Sequence, residues 1–112
     1  MTNKTVTTAA LQAALKLGAA NGQDVKTLAF VVGTDDRVIR KLVDELIEQG
    51  VPVCAHPSTG YYIAETREEV DAVCKFLHHR AVHSLGKMTK LRGAFVLYHN
   101  TIDIEPQPGA AA

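Results

Sequence analysis

Arg37, Arg40 and Lys41 lie three and four residues apart in the stretch DDRVIRKLVDELIEQ, so a helix there presents all three cations on one exposed side. A guanidinium is a planar fork of donors that suits two acceptors at once, such as phosphate oxygens or O6 and N7 of guanine. An ammonium is a point charge better matched to phosphate. The chemistry of such a trio is recognition of a polyanion rather than bond making. Asp35 and Asp36 directly precede it, where they can accept from a cytosine amino group or pair with Arg37 and Arg40.

Other reactive side chains form weaker patterns. His79 and His83 stand four apart on one helical face, and Cys74 and His78 on another. Such pairs can begin a zinc site, but no carboxylate or second Cys pair closes it, so solvated or DNA-facing histidines are the expectation. Cys54 and Cys74 read as reduced thiols that act as small buried apolar groups. No nucleophile–base arrangement, phosphate-cradling glycine loop or paired-carboxylate motif stands out. The expectation is therefore a protein that is not an enzyme and holds neither cofactor nor metal.

The elements that must carry the cations follow from spacing. Val6, Ala9, Ala10, Ala13, Ala14 and Leu17 recur at helical spacing over residues 6–19, and Gly18 with Asn21-Gly22 ends that helix. Asp24 caps a second helix from Val25 to about Val32, and Gly33 stops it. Thr34 then caps a third helix with Asp35 and Asp36 in its first turn, where the dipole favours anions. Ile39, Leu42, Val43 and Leu46 form its apolar stripe, and Gly50 ends it. Leu28, Val32, Ile39 and Leu42 point inward, and small Ala29 lets the two helices approach closely.

Val51, Val53 and Ala55 alternate with Pro52, Cys54 and His56, as in a strand with one buried face. His-Pro-Ser-Thr-Gly supplies a turn, and Tyr61, Tyr62 and Ile63 the returning strand. Thr66 and Glu69 form a capping box that opens a last helix from Arg67 to about His99. There Val70, Leu77, Ser84 and Leu91 hold one heptad position, and Cys74, Ala81, Met88 and Phe95 the other. Gly86 and Gly93 mark expected bends. The segment TIDIEPQPGAAA, with its prolines and Gly-Ala run, reads as an extended or disordered tail.

The fold class is thus mainly α with a small β-hairpin: a winged helix-turn-helix over residues 6–64, a long basic C-terminal helix over 66–99, and a flexible tail over 100–112. Of the 112 residues, 46% are hydrophobic and 21% charged, as in ordinary soluble domains. No apolar run approaches the ~18 residues of a membrane span, and no compact signal-peptide core opens the chain. A cytoplasmic location is expected, bacterial or in a host cell if phage-encoded. Twelve basic residues balance twelve acidic ones, which argues against a nonspecific coat on DNA. The distribution is uneven, because no Asp or Glu lies between Ala72 and Ile102.

The stretch DDRVIRKLVDELIEQGVPVCAHPSTGYYIAE resembles the winged helix-turn-helix module at the N-terminus of biotin ligase repressors and related bacterial regulators. There a helix of pattern R-x-I-x-K/R-x-I-x-x-L precedes a hairpin ending in G-Y-x-L. Arg37, Ile39, Lys41, Val43 and Leu46, then Gly60, Tyr61 and Ile63, carry the likeness, which covers roughly residues 8–64. In size and layout the chain is also similar to small phage-borne DNA-binding proteins. The resemblance implies that the third helix enters the major groove and that the His56–Gly60 wing meets backbone or minor groove. A ligase domain is not expected, so biotin chemistry is not expected to carry over, and the wing has His56 but no Arg or Lys.

The residues expected at duplex DNA are Lys26, Thr34, Arg37, Arg40, Lys41, His56, Ser58 and Thr59. Arg37 and Arg40 would read bases, and Lys41 and Lys26 would clamp phosphates. The C-terminal helix is expected to pair two copies into a homodimer for a palindromic site. The function expected is sequence-specific DNA binding by a small transcriptional regulator or phage accessory factor. The competing expectation is a protein-interaction module that uses the winged fold as a scaffold for a replication or host partner.

Overall fold

The computed structural model describes residues 6–104, with side chains through Asn100. In chain order these are α1 (Thr8–Ala14), a 3-10 turn (Ala19–Asn21), α2 (Val25–Val32), α3 (Asp36–Glu48), β1 (Val53–His56), β2 (Gly60–Ile63) and α4 (Arg67–Ile104). The chain is mainly helical, with a two-stranded antiparallel hairpin and a long C-terminal helix, as the sequence pattern predicts. It divides into two compact units, Met1–Lys75 and Phe76–Ala112.

In the first unit the core is built on α3. Ile39, Leu42, Val43 and Leu46 are buried against Leu11 and Leu15, Leu28 and Ala29 of α2, and Val53 of β1. Leu11, Leu28, Ile39 and Leu46 are completely enclosed. Burying each such side chain contributes about 1.5–3 kcal/mol relative to leaving it in water. The inward positions expected for α2 and α3 are therefore filled as the spacing predicts.

The junction between α2 and α3 is set by Gly33, whose φ of 87° lies in the left-handed region that favours glycine. The N–H groups of Gly33 and Thr34 both donate to the Ala29 carbonyl, each at 2.8 Å. This use of Thr34 corrects the expected cap. The N-cap of α3 is Asp35, whose carboxylate accepts from the Val38 N–H at 2.9 Å, and the helix begins at Asp36. Thr34 belongs to the end of α2 because its N–H is needed to satisfy that helix's last carbonyls.

The first helix is shorter than expected. It ends at Ala14, and Leu15 turns extended so that its side chain enters the core. The Gln23 Nε2 donates to the freed Ala14 carbonyl at 2.9 Å. Beyond Leu15 the chain follows β2: the Ile63 N–H donates to Lys16 O, and the Gly18 N–H to Ile63 O. Gln23 then exchanges two backbone hydrogen bonds with Tyr61, at 2.7 and 3.0 Å. These bridges, at Leu17–Ile63 and Gln23–Tyr61, give β2 a second neighbour besides β1. Gly22 makes the approach possible, since a Cβ there would lie 1.9 Å from the Thr59 carbonyl oxygen.

The hairpin pairs Val53 with Ile63 and Cys54 with Tyr62, and both faces are covered. Val53, Tyr61 and Ile63 pack on the α3 core, while Cys54 and Tyr62 pack on Val73 of α4. The expectation of one buried face is therefore corrected: α4 covers the other. Cys54 is buried and burial pushes its thiol up, whereas Cys74 is exposed rather than the buried apolar group expected; both are free thiols.

The capping box forms as the sequence predicts, with the Glu69 N–H donating to Thr66 Oγ1 and the Thr66 N–H to Glu69 Oε1, each at 3.2 Å. The α4 helix runs unbroken through Gly86 and Gly93 to Ile104, past the expected start of the tail. Residues 105–112 lie outside the described residues.

The corrected cap is testable by urea denaturation. Asp35→Ala should cost about 1 kcal/mol of stability through loss of its cap. Thr34→Ala, which keeps its backbone N–H, should cost clearly less; equal losses would restore Thr34 as the cap.

Candidate nucleic-acid interface

With its apolar stripe buried, α3 turns its remaining side outward. Arg37, Arg40 and Lys41 are all exposed there, joined toward the C-terminus by Asp44 and Glu48. The side chains of Arg37, Arg40 and Lys41 make no hydrogen bond or ion pair with any described residue. Their donors are therefore open to an external acceptor. The trio sits in the first half of the helix and the acids in the second, so the cationic patch is short.

The two acids that begin α3 are used internally. Asp35 caps the helix, and Asp36 Oδ2 accepts from Lys26 Nζ of α2 at 3.1 Å. Neither pairs with Arg37 or Arg40. The Lys26–Asp36 contact is exposed, where ion pairs add little stability, but it engages the Lys26 ammonium and offsets the Asp36 charge beside the cationic patch. Lys26 is thus placed at the start of α2 with an internal partner, unlike the three cations of α3.

The turn between β1 and β2 is tied to itself. His56 Nδ1 accepts from the Ser58 N–H at 3.1 Å and lies 2.8 Å from the Ser58 hydroxyl. An imidazole that accepts at Nδ1 carries its proton on Nε2. The Thr59 N–H donates to the His56 carbonyl, and its hydroxyl to the Gly60 carbonyl at 3.3 Å. These bonds hold His56, Ser58 and Thr59 in one tight turn. Pro57 and Ser58 are exposed, and no cation is present on the turn.

Two features of this region escape the sequence patterns described above. Phe30, on the outer side of α2, is 88% exposed, with Val31 exposed beside it. Its signal was available, because inward positions at Leu28, Ala29 and Val32 leave residue 30 facing away from the core. The second is Glu69. Besides its role in the capping box, it accepts from the Ala19 N–H at 2.8 Å and the Glu65 N–H at 2.6 Å. One carboxylate thereby fastens the start of α4 to the 3-10 turn, which lies fifty residues earlier. That link has no local sequence signal.

Among the described residues no group of three or more His, Cys, Asp or Glu gathers to hold a metal ion. No helix among them is long and apolar enough to cross a membrane. No family model matches the chain, and no curated protein or solved structure matches it either.

The N–H of Ala19, then that of Glu65, hold the Glu69 carboxyl below the usual glutamate range, against a smaller opposing effect of burial. A carboxyl lowered on folding stabilises the fold above its unfolded value, and that contribution is lost as pH falls through the folded value. The melting temperature of the native chain should therefore fall more steeply than that of Glu69→Gln between about pH 5 and about pH 3. Parallel curves from calorimetry would show that the carboxylate does no such fastening.

Proposed function

We propose that this protein binds double-stranded DNA with sequence preference, as a small regulator or phage accessory factor. In this reading α2 and α3 form a helix-turn-helix, α3 enters the major groove, and the β1–β2 turn lies at backbone or minor groove as a wing. The observation that carries it is the trio Arg37, Arg40 and Lys41, exposed together on α3 with no side-chain partner among the described residues. Three cations left without an internal partner beside Asp44 and Glu48 keep all their donors available to an anion.

Arg37 and Arg40 are the base readers in this scheme, each able to span two acceptors of guanine. Lys41 contributes phosphate contact, and Lys26 joins it if phosphate displaces Asp36. The turn meets the duplex through the Pro57–Ser58 peptide and the Ser58 and Thr59 hydroxyls rather than through cations. The small cationic patch implies few phosphate contacts and hence a modest affinity for random sequence. A palindromic site would hold two copies, one α3 in each half-site.

In vitro selection from random duplexes, followed by anisotropy titration of the selected site, tests this directly. Arg37→Ala and Arg40→Ala should each weaken the selected site by about 1–3 kcal/mol while changing random duplex little. Lys41→Ala should weaken all sequences alike and reduce the salt slope by about 1. Absence of duplex binding at low salt, with the fold intact by circular dichroism, would overturn the proposal.

A further inference from the structure

We infer that the exposed apolar face of α4 between Leu77 and Tyr98 is a docking surface for an acidic amphipathic helix of another protein. Every residue from Leu77 to Asn100 is exposed. Among them Leu77, Val82, Leu85, Met88, Leu91, Phe95, Val96 and Tyr98 are large apolar side chains, from 45% exposed at Met88 to 70% at Leu91. Leu77, Met88, Leu91, Phe95 and Tyr98, with Ala81 and Ser84 between, recur at alternating three- and four-residue steps and so form one continuous stripe. Apolar surface on this scale marks a contact with another molecule.

The charges beside the stripe select the occupant. With Ala81, Met88 and Phe95 at the first heptad position and Leu77, Ser84, Leu91 and Tyr98 at the fourth, Arg80 and Lys87 fall on one flank and Arg92 on the other. In a parallel pair of identical helices, Lys87 would face Arg92 of the second copy. In an antiparallel pair, cationic flank would face cationic flank. No Asp or Glu between Ala72 and Ile102 relieves either arrangement, so the self-pairing expected from the heptads brings like charges together. Duplex phosphates would neutralise Arg80, Lys87 and Lys90 but leave Leu77, Met88, Leu91 and Phe95 in water. A helix with an apolar stripe between Asp and Glu flanks satisfies both the stripe and the cations.

The test uses the full chain and two labelled synthetic heptad peptides with the same Leu stripe, one flanked by Glu and one by Lys. Anisotropy should show the Glu peptide bound more tightly than the Lys peptide by about tenfold or more, less so as salt rises. Arg80→Glu with Lys87→Glu should invert that preference, and Met88→Glu with Leu91→Glu should abolish binding of both. Sedimentation of the chain alone should show a monomer at micromolar concentration. Equal affinity for both peptides would overturn the inference, as would a stable dimer that Met88→Glu dissolves. Failure of either peptide to bind, alongside binding to vesicles containing phosphatidylglycerol, would overturn it in favour of a lipid surface. None of these outcomes depends on whether α3 binds DNA.

Discussion

The arrangement of the first unit depends on the enclosure of Leu11, Leu28, Ile39 and Leu46, one or two from each of its three helices. Two of the four belong to α3, seven residues and two turns apart, so they fix both its rotation and its tilt against α1 and α2. Once Ile39 and Leu46 are inward, Arg37, Arg40 and Lys41 have no choice but to face out. The outward cations are a consequence of apolar burial and need no interaction of their own to hold them. Side chains positioned in this way stay available, whereas Lys26, placed beside Asp36, begins with a competitor.

The same logic separates what was legible in the sequence from what was not. The bounds of α2, the turn at Gly33, the stripe of α3 and the Thr66–Glu69 box are local: each is decided within about five residues by helix period, cap or glycine. The end of α1 is not local. Its periodicity continues through Leu17, but Leu15 gains more by entering the core, and residues 16–18 gain backbone partners in β2. Cys54 likewise needs Val73 of α4 before its face of the hairpin is buried. Thr34 misleads for a related reason: it is a good cap by type, but the close of α2 uses its N–H first.

For the candidate interface, residue types were legible and their availability was not. The sequence names Lys26, Arg37, Arg40 and Lys41 as equals, and only the fold gives Lys26 a partner. It names His56, Ser58 and Thr59 as a wing, and the fold ties Ser58 to the His56 imidazole, the Thr59 N–H to the His56 carbonyl and the Thr59 hydroxyl to the Gly60 carbonyl. A rigid turn of that kind offers shape and a few hydroxyls, so electrostatic attraction in the DNA reading rests on α3. The weight on two arginines and one lysine is correspondingly large.

Net charge conceals how the chain is divided. Residues 1–75 carry eight Lys and Arg against ten Asp and Glu, and residues 76–112 carry four against two. A single zero therefore averages a mildly acidic unit and a cationic helix. On the first unit, Asp24, Asp35 and Glu69 sit at helix starts, where they satisfy N–H groups and their cost to an approaching polyanion is partly cancelled by the dipoles they serve. Asp44, Glu45 and Glu48 lie in the second half of α3 without that compensation. On α4 between Leu77 and Asn100 no acid is present to cancel anything, and the cations lie beside apolar side chains that phosphate cannot cover. In the two proposals these surfaces take different partners: an anion with hydrogen-bond acceptors in a fixed pattern at α3, and an apolar helix edged with carboxylates at α4. The α4 stripe contributes no side chain to the core that positions α3, so the two proposals rest on separate sets of residues.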